Sequence, residues 1–202
     1  ADLGEVDVVL LSHDQHADNL DTAGREFLAS VDTVFSTVDA AARIDGVQGL
    51  VAWDTAKLDG PAGQITVTAV PALHGPEGCE PISGVVIGFV LQAEGKLTVY
   101  ISGDNAAVDR VQDIVDRIGR IDIAVLFTGA ANPGRYGDTD VTLNARTAVA
   151  AARILADAVV IPIHAEGWAH FSETLERLAR EFDYAGLASR LRIPSPGERF
   201  TV

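Results

Sequence analysis

The order of apolar patterns along this chain predicts an α/β fold, and three features carry the prediction. Short β-branched runs crowd the first hundred residues, a helical spacing of valine and isoleucine begins after residue 105, and buried strands then alternate with helices. Residues 7–11 (DVVLL) read as a strand, and residues 22–30 as a helix that buries Phe27 and Leu28. A second strand is expected at 31–35 and a short helix at 39–44. Residues 64–70 place β-branched side chains at alternate positions, while 85–91 and 97–102 flank the turn AEGK and form a hairpin. Val108, Val111, Val115 and Ile118 recur at the period of an amphipathic helix. The unbroken apolar run 121–127 follows, as expected of a strand covered on both faces. A Gly- and Asp-rich loop at 129–140 leads to an alanine-rich helix at 142–155 and a strand at 158–163. Ser172 suits the N-cap of a last helix burying Leu175, Leu178 and Phe182. No repeat, low-complexity segment or linker interrupts this order, so residues 1–202 read as a single domain, hairpin-rich first and βαβ-like second.

Composition narrows the function classes. The 202 residues are 48% hydrophobic and 22% charged, enough apolar material for a large core. The longest apolar runs, 84–91 and 121–128, fall far short of the ~20 residues of a membrane-spanning helix. Fifteen basic residues stand against 29 acids, scattered instead of striped, which argues against nucleic acid as a partner. The lone cysteine, Cys79, allows no internal disulfide and fits a reducing, cytoplasmic compartment. The absence of methionine suggests a processed or trimmed chain.

The five histidines carry the functional signal. His13, His16, His74 and His164 each follow an expected strand, and strand ends along one sheet edge converge in space. The loop SHDQHADNLD (12–21) adds three aspartates and an asparagine. Asp104, in ISGDN, has two readings: with Asn105 it suits the cap of the next helix, or it is a carboxylate bridging two cations. His170, in GWAHF, either faces a substrate or simply precedes the last helix.

A strand ending in a loop of His-x-His-x-Asp-His type, then VPALHG (70–75), an SGD turn (102–104) and VIPIH (160–164), in that order, resemble the metallo-β-lactamase-fold hydrolases. The GWAHF segment and the SHDQHADNLD variant resemble a branch of these related to lactonase and phosphodiesterase-like members. The resemblance covers nearly the whole chain from Val6. It implies an αββα four-layer sandwich of the α+β kind, with a metal site at one sheet edge. Relatives carry further strands ahead of the histidine loop. The first sheet is therefore expected to lack its N-terminal strands, and the chain to associate with itself or with a complementing N-terminal segment.

Residue by residue, Asp18 matches the motif aspartate and His16 the second histidine, while Asn19 stands where a third histidine is usual. The first ligand position falls on Asp14 with His13 one residue earlier. Imidazole suits zinc and favours His13, and Asp14 has an alternative as a turn cap. His74 matches the next histidine, Asp104 the bridging carboxylate and His164 the last ligand. The resemblance thus implies a metal set of His13, Asp14, His16, Asp18, His74, Asp104 and His164, with catalytic roles for Asp18, Asp104 and His170. It implies one or two ions of Zn²⁺, with Mn²⁺ or Fe as alternatives, and restoring histidine at position 19 is expected to strengthen a second site. The implied chemistry is hydrolysis of an ester, lactone or phosphodiester in a small molecule by metal-activated hydroxide. Two rivals use the same fold: a metal- or ligand-binding protein that has lost catalysis, and a di-iron redox protein with a flavin partner.

Overall fold

The computed structural model describes residues 4–61 and 63–202. Strands β1 (Val8–Leu10), β2 (Thr33–Thr37) and β3 (Val47–Leu50) form a parallel three-stranded sheet in that order. Strands β4 (Thr55–Gly60), β5 (Gly63–Pro71), β6 (Ile87–Ala93), β7 (Val99–Ile101), β8 (Ile123–Phe127) and β9 (Val159–Ile163) form a six-stranded sheet, also in sequence order. Its first four strands pair antiparallel and its last three parallel, matching the expected change from hairpins to βαβ units.

Side-chain alternation sorts these strands into layers. Val8, Leu10 and Phe35 face Val67, Ala69, Ile87 and Phe89, so the inner faces of both sheets form one core. Val9, Leu11 and Val34 point the other way, onto Leu28 of α1 (Thr22–Leu28). The outer face of the larger sheet, through Val70, Val90, Tyr100, Leu126 and Val160, packs on α4 (Val108–Ile118), α5 (Ala145–Ile154) and α6 (Leu175–Tyr184). These four layers are an αββα sandwich. No helix among the described residues is long and apolar enough to cross a membrane.

Several expectations shift. Phe27 is 44% exposed, and Leu28 alone is buried from α1. β2 starts at Thr33 because Ser30 and Val31 still close the helix onto the carbonyls of Phe27 and Leu28. Short helix α2 (Val38–Ala41) starts one residue early, since the Thr37 hydroxyl accepts from the Ala40 amide and caps it, and ends three residues before the expected 44. β8 buries Ala124 and Leu126 completely, but Ile123, Val125 and Phe127 only partly, so it is fully covered on one face. Helix α5 begins at Ala145, where Asn144 and Thr147 close a capping box. Thr174, not Ser172, caps α6; the Ser172 hydroxyl donates to the Ala130 carbonyl. Strands β3 and β4 and the short helix α3 (Glu80–Ser83) went unread, because VQGL and TAKLDG lack a β-branched alternation.

The inner core sets a stability test. Phe89 is 1% exposed between the sheets, so Phe89→Ala should cost about 3–5 kcal/mol in urea unfolding. Phe27→Ala should stay within about 0.5 kcal/mol.

Candidate metal centre

The loops that follow β1, β5, β7 and β9 meet at one edge of the sandwich. Ser12 carries the chain from the small sheet to the large one, its carbonyl accepting from Ile87 N at 3.1 Å. The loop after β7 approaches so closely that a Cβ on Gly103 would lie 2.8 Å from the Ser12 Cβ, and Gly103 has φ +58°. Asn105 stitches this loop to the end of β5: its Oδ1 accepts from Leu73 N at 3.0 Å and from Ala107 N at 3.2 Å. The expected capping role of Asp104 or Asn105 is therefore not what the structure shows, since α4 has Ala107 as its N-cap.

Four side chains close on one point. His13 Nε2 lies 2.9 Å from His16 Nδ1, and Asp104 Oδ2 lies 3.8 Å from His13 Nε2 and 3.6 Å from His74 Nε2. One ligand atom from each of these four residues falls within 4.8 Å of all the others. On the other side of Asp104, Oδ1 is 3.4 Å from His164 Nε2, which is 3.5 Å from Asp18 Oδ2. Asp18 Oδ2 in turn accepts from His170 Nε2 at 2.8 Å. His164 has φ +53°, a left-handed conformation that turns its ring inward at the end of β9.

Supporting contacts set which ring nitrogen is free. His74 Nδ1 donates to the Val141 carbonyl at 2.8 Å, leaving the Nε2 lone pair toward the centre. The Ser12 hydroxyl donates to Asn19 Oδ1 at 3.3 Å and stands 3.0 Å from His13 Nδ1, so it accepts from that nitrogen and leaves His13 Nε2 unprotonated. Asn19 Nδ2 donates to the His13 carbonyl at 2.5 Å. The amide of Asn19 is thus spent on the loop itself.

Electrostatics prepare these groups for a cation. Burial, then the neighbouring rings His74 and His16, hold His13 well below the usual imidazole value. Burial likewise lowers His74 to about 4, and burial with Arg135 lowers His16. Burial pushes the Asp104 carboxyl up to about 7. Burial opposes ionisation of Asp18, yet His164 and His170 outweigh it and hold that carboxyl below its ordinary range. Burial would lower His164 too, but Asp18 and Asp104 raise it. Both Asp104 oxygens and His164 Nε2 are buried without a hydrogen-bond partner. Such atoms are costly unless a cation lies against them, and imidazole with carboxylate is the donor set of zinc, manganese or iron.

Asp14 stands apart from this cluster. Its oxygens accept from Arg43 at 2.5 and 2.9 Å, and Arg25 lies 3.7 Å away, so its charge is used to hold the loop against the outer helical layer. Arg43 chiefly, against burial, keeps the Asp14 carboxyl below its ordinary range. Beside the histidines lies a cleft of about 290 Å³ walled by Gln15, His16, Asp18, Arg135, Trp168 and His170. The Arg135 guanidinium donates to His16 Nε2 at 3.2 Å. Neither Arg135 nor Ser12 was singled out in the sequence; a basic residue within the glycine-rich 129–140 loop was the one available sign.

The profile of the family described as "Beta-lactamase superfamily domain" matches residues 1–165. A UPF0173 metal-dependent hydrolase of Methanoculleus marisnigri is 29% identical over 98% of this chain and 83% of its own length. A second, from Pelotomaculum thermopropionicum, is also 29% identical, over 96% and 82%. Among solved structures, an isothiocyanate hydrolase from Delia radicum gut bacteria superposes with a TM-score of 0.81 at 22% identity, over 98% of this chain and 77% of that one. A metallo hydrolase from Ignicoccus hospitalis superposes with a TM-score of 0.71 at 25% identity, over 95% and 77%.

Two outcomes follow from the geometry. His13→Ala should weaken zinc binding far more than Asp14→Ala, and Asn19→His, by cutting the link through Ser12 to His13, should lower affinity about 10–100-fold instead of raising it. Isothermal titration of the metal-free protein measures both. Ion and proton compete for Asp104, whose value is about 7, while His74 is already neutral well below that. Zinc affinity should therefore fall by up to about tenfold per pH unit as pH drops below 7, read with a competing indicator.

Proposed function

Because the chain belongs to the beta-lactamase superfamily domain family, we propose that it is a metal-dependent hydrolase acting on a small molecule. The observation that carries this reading is the buried, unpartnered Asp104 carboxylate facing neutral imidazoles on the wall of a cleft. His13, His16, His74 and Asp104 would hold an ion, with zinc the best match to three imidazoles and one carboxylate. When bound, such an ion lowers the pKa of water from 15.7 toward about 7 and polarises the carbonyl or phosphoryl oxygen of the substrate. With one ion bound there, Asp18 would orient the attacking water and take its proton, and His170 holds Asp18 in place from the cleft side through their 2.8 Å bond. The low pKa of Asp18 keeps it ionised for that task.

Arg135 is the one lysine or arginine among the cleft-lining residues, and Trp168 offers an apolar wall beside it. Esters, lactones and phosphodiesters all suit the centre, and Arg135 favours those carrying an anionic group. The single cysteine, buried, supports a reducing cytoplasmic setting. Strand β1, at the end of its sheet order, supports self-association or docking of complementing strands along that edge. Within these proposals residues 1–202 act as one domain.

Chelation should abolish turnover of p-nitrophenyl esters, lactones or bis(p-nitrophenyl) phosphate, and added zinc or manganese should restore it. A folded, metal-loaded protein inert toward every such substrate would favour the non-catalytic rival. Arg135→Ala should raise KM for bis(p-nitrophenyl) phosphate by about tenfold or more and leave p-nitrophenyl acetate nearly unchanged, since a charged hydrogen bond contributes about 1.5–3 kcal/mol.

A further inference from the structure

We infer that His170 is a ligand of a second ion, taking over on the chain's far side the duty that Asn19 does not perform; this rests on the hydrolase reading and extends it. Asp104 presents two buried oxygens to two different neighbourhoods, Oδ2 to His13 and His74 and Oδ1 to His164. An ion among the first set leaves Oδ1 and His164 Nε2 unsatisfied, both buried and both without a hydrogen-bond partner. A second cation beside them removes that cost.

Asp18 Oδ2 lies 3.5 Å from His164 Nε2, a separation that suits two donors sharing one ion at zinc–ligand distances near 2.0–2.2 Å. A fourth donor must come from elsewhere than Asn19, whose amide oxygen accepts from Ser12 and whose nitrogen donates to the His13 carbonyl. His170 Nε2, 2.8 Å from Asp18 Oδ2, is the imidazole that reaches the same carboxylate. That spacing resembles the 2.9 Å between His13 and His16, the pair in the first set. Its ring is held edge-on against Phe171, at 4.8 Å between centroids, and its carbonyl accepts from Asn132 N at 2.8 Å. A bridge between Ala131 and Phe171 fastens this loop to the 129–140 loop. Among the described residues the first set has one ligand atom from every member within 4.8 Å of all the others, so it fills first and the second ion binds more weakly.

The test counts ions. Metal-free wild type, His164→Ala, His170→Ala and His170→Asp are titrated with zinc, and bound ions per chain are read by native mass spectrometry and elemental analysis, with thermal melting as the fold control. Wild type should take up two ions; His164→Ala and His170→Ala should keep the first at unchanged affinity. His170→Ala should lose the second by more than the roughly 10–100-fold that a lost supporting hydrogen bond costs. His170→Asp, which restores a ligand oxygen, should recover it. Uptake of a single ion by wild type, a second ion held within about tenfold by His170→Ala, or loss of both ions in that variant overturns the inference and leaves His170 as the partner of Asp18. Only a wild type that takes up no ion at all sinks the hydrolase reading itself.

Discussion

A carboxylate is buried where two sheets meet, and the architecture around it follows from making that tolerable. Asp104 contributes no capping bond and no backbone bond; its neighbours do that work for it. Ser102 Oγ donates to the Gly103 carbonyl and accepts from Phe127 N, and Asn105 ties Leu73 and Ala107, so the turn is fixed on both sides while the Asp104 oxygens stay free. Glycine at 103 lets the Ser12 loop come close enough to place His13 against it. Sheet packing and site assembly are in this sense one event: the Ser12 to Ile87 bond that joins the sheets also sets the distance between His13 and Asp104. Burial raises the Asp104 carboxyl and lowers His13 and His74 together, so these side chains by themselves carry little charge and favour a cation as the Asp104 proton leaves.

The histidine loop shows how His13 rather than Asp14 comes to face the cluster. Asp14 falls where the first histidine of the motif would stand, yet Arg43 and Arg25 draw its side chain to the helical layer. That pull rotates His13 inward in its place. Asn19, where the resemblance implies a further imidazole, closes the loop on itself through the His13 carbonyl and, through Ser12, sets the His13 tautomer. Read as a ligand, Asn19 is a loss. In the folded loop it is the group that, through Ser12, fixes which nitrogen of His13 carries the proton.

Periodicity and punctuation in the sequence were enough for a hairpin-rich half followed by a βαβ-like half, while the αββα layering came from the resemblance. The strands around 8–10, 64–70, 87–91 and 123–127 and the helices carrying Val111 and Phe182 announce themselves because buried faces repeat at two or at 3.6 residues, a local property of the chain. Strands β3 and β4 were silent because VQGL and TAKLDG are held by their neighbours' hydrogen bonds and not by their own preference. Cap positions erred where a loop contact claimed the hydroxyl first, as Ala130 claims Ser172.

For the centre, histidines at strand ends pointed to one cluster and the resemblance implied His16, Asp18, His74, Asp104 and His164, side chains that the fold brings to one sheet edge. Drawing Asp14 away from the cluster and bringing Arg135 and His170 to the cleft depended on partners 29, 119 and 152 positions apart in the chain, while Asn19 turns to the backbone within its own loop. Those choices are made by competition in three dimensions: a carboxylate goes to the nearest guanidinium, an amide to the nearest unpaired backbone group, and the imidazole left over faces Asp104. No local pattern encodes the outcome, because each side chain's direction is fixed by what the folded neighbours leave unsatisfied.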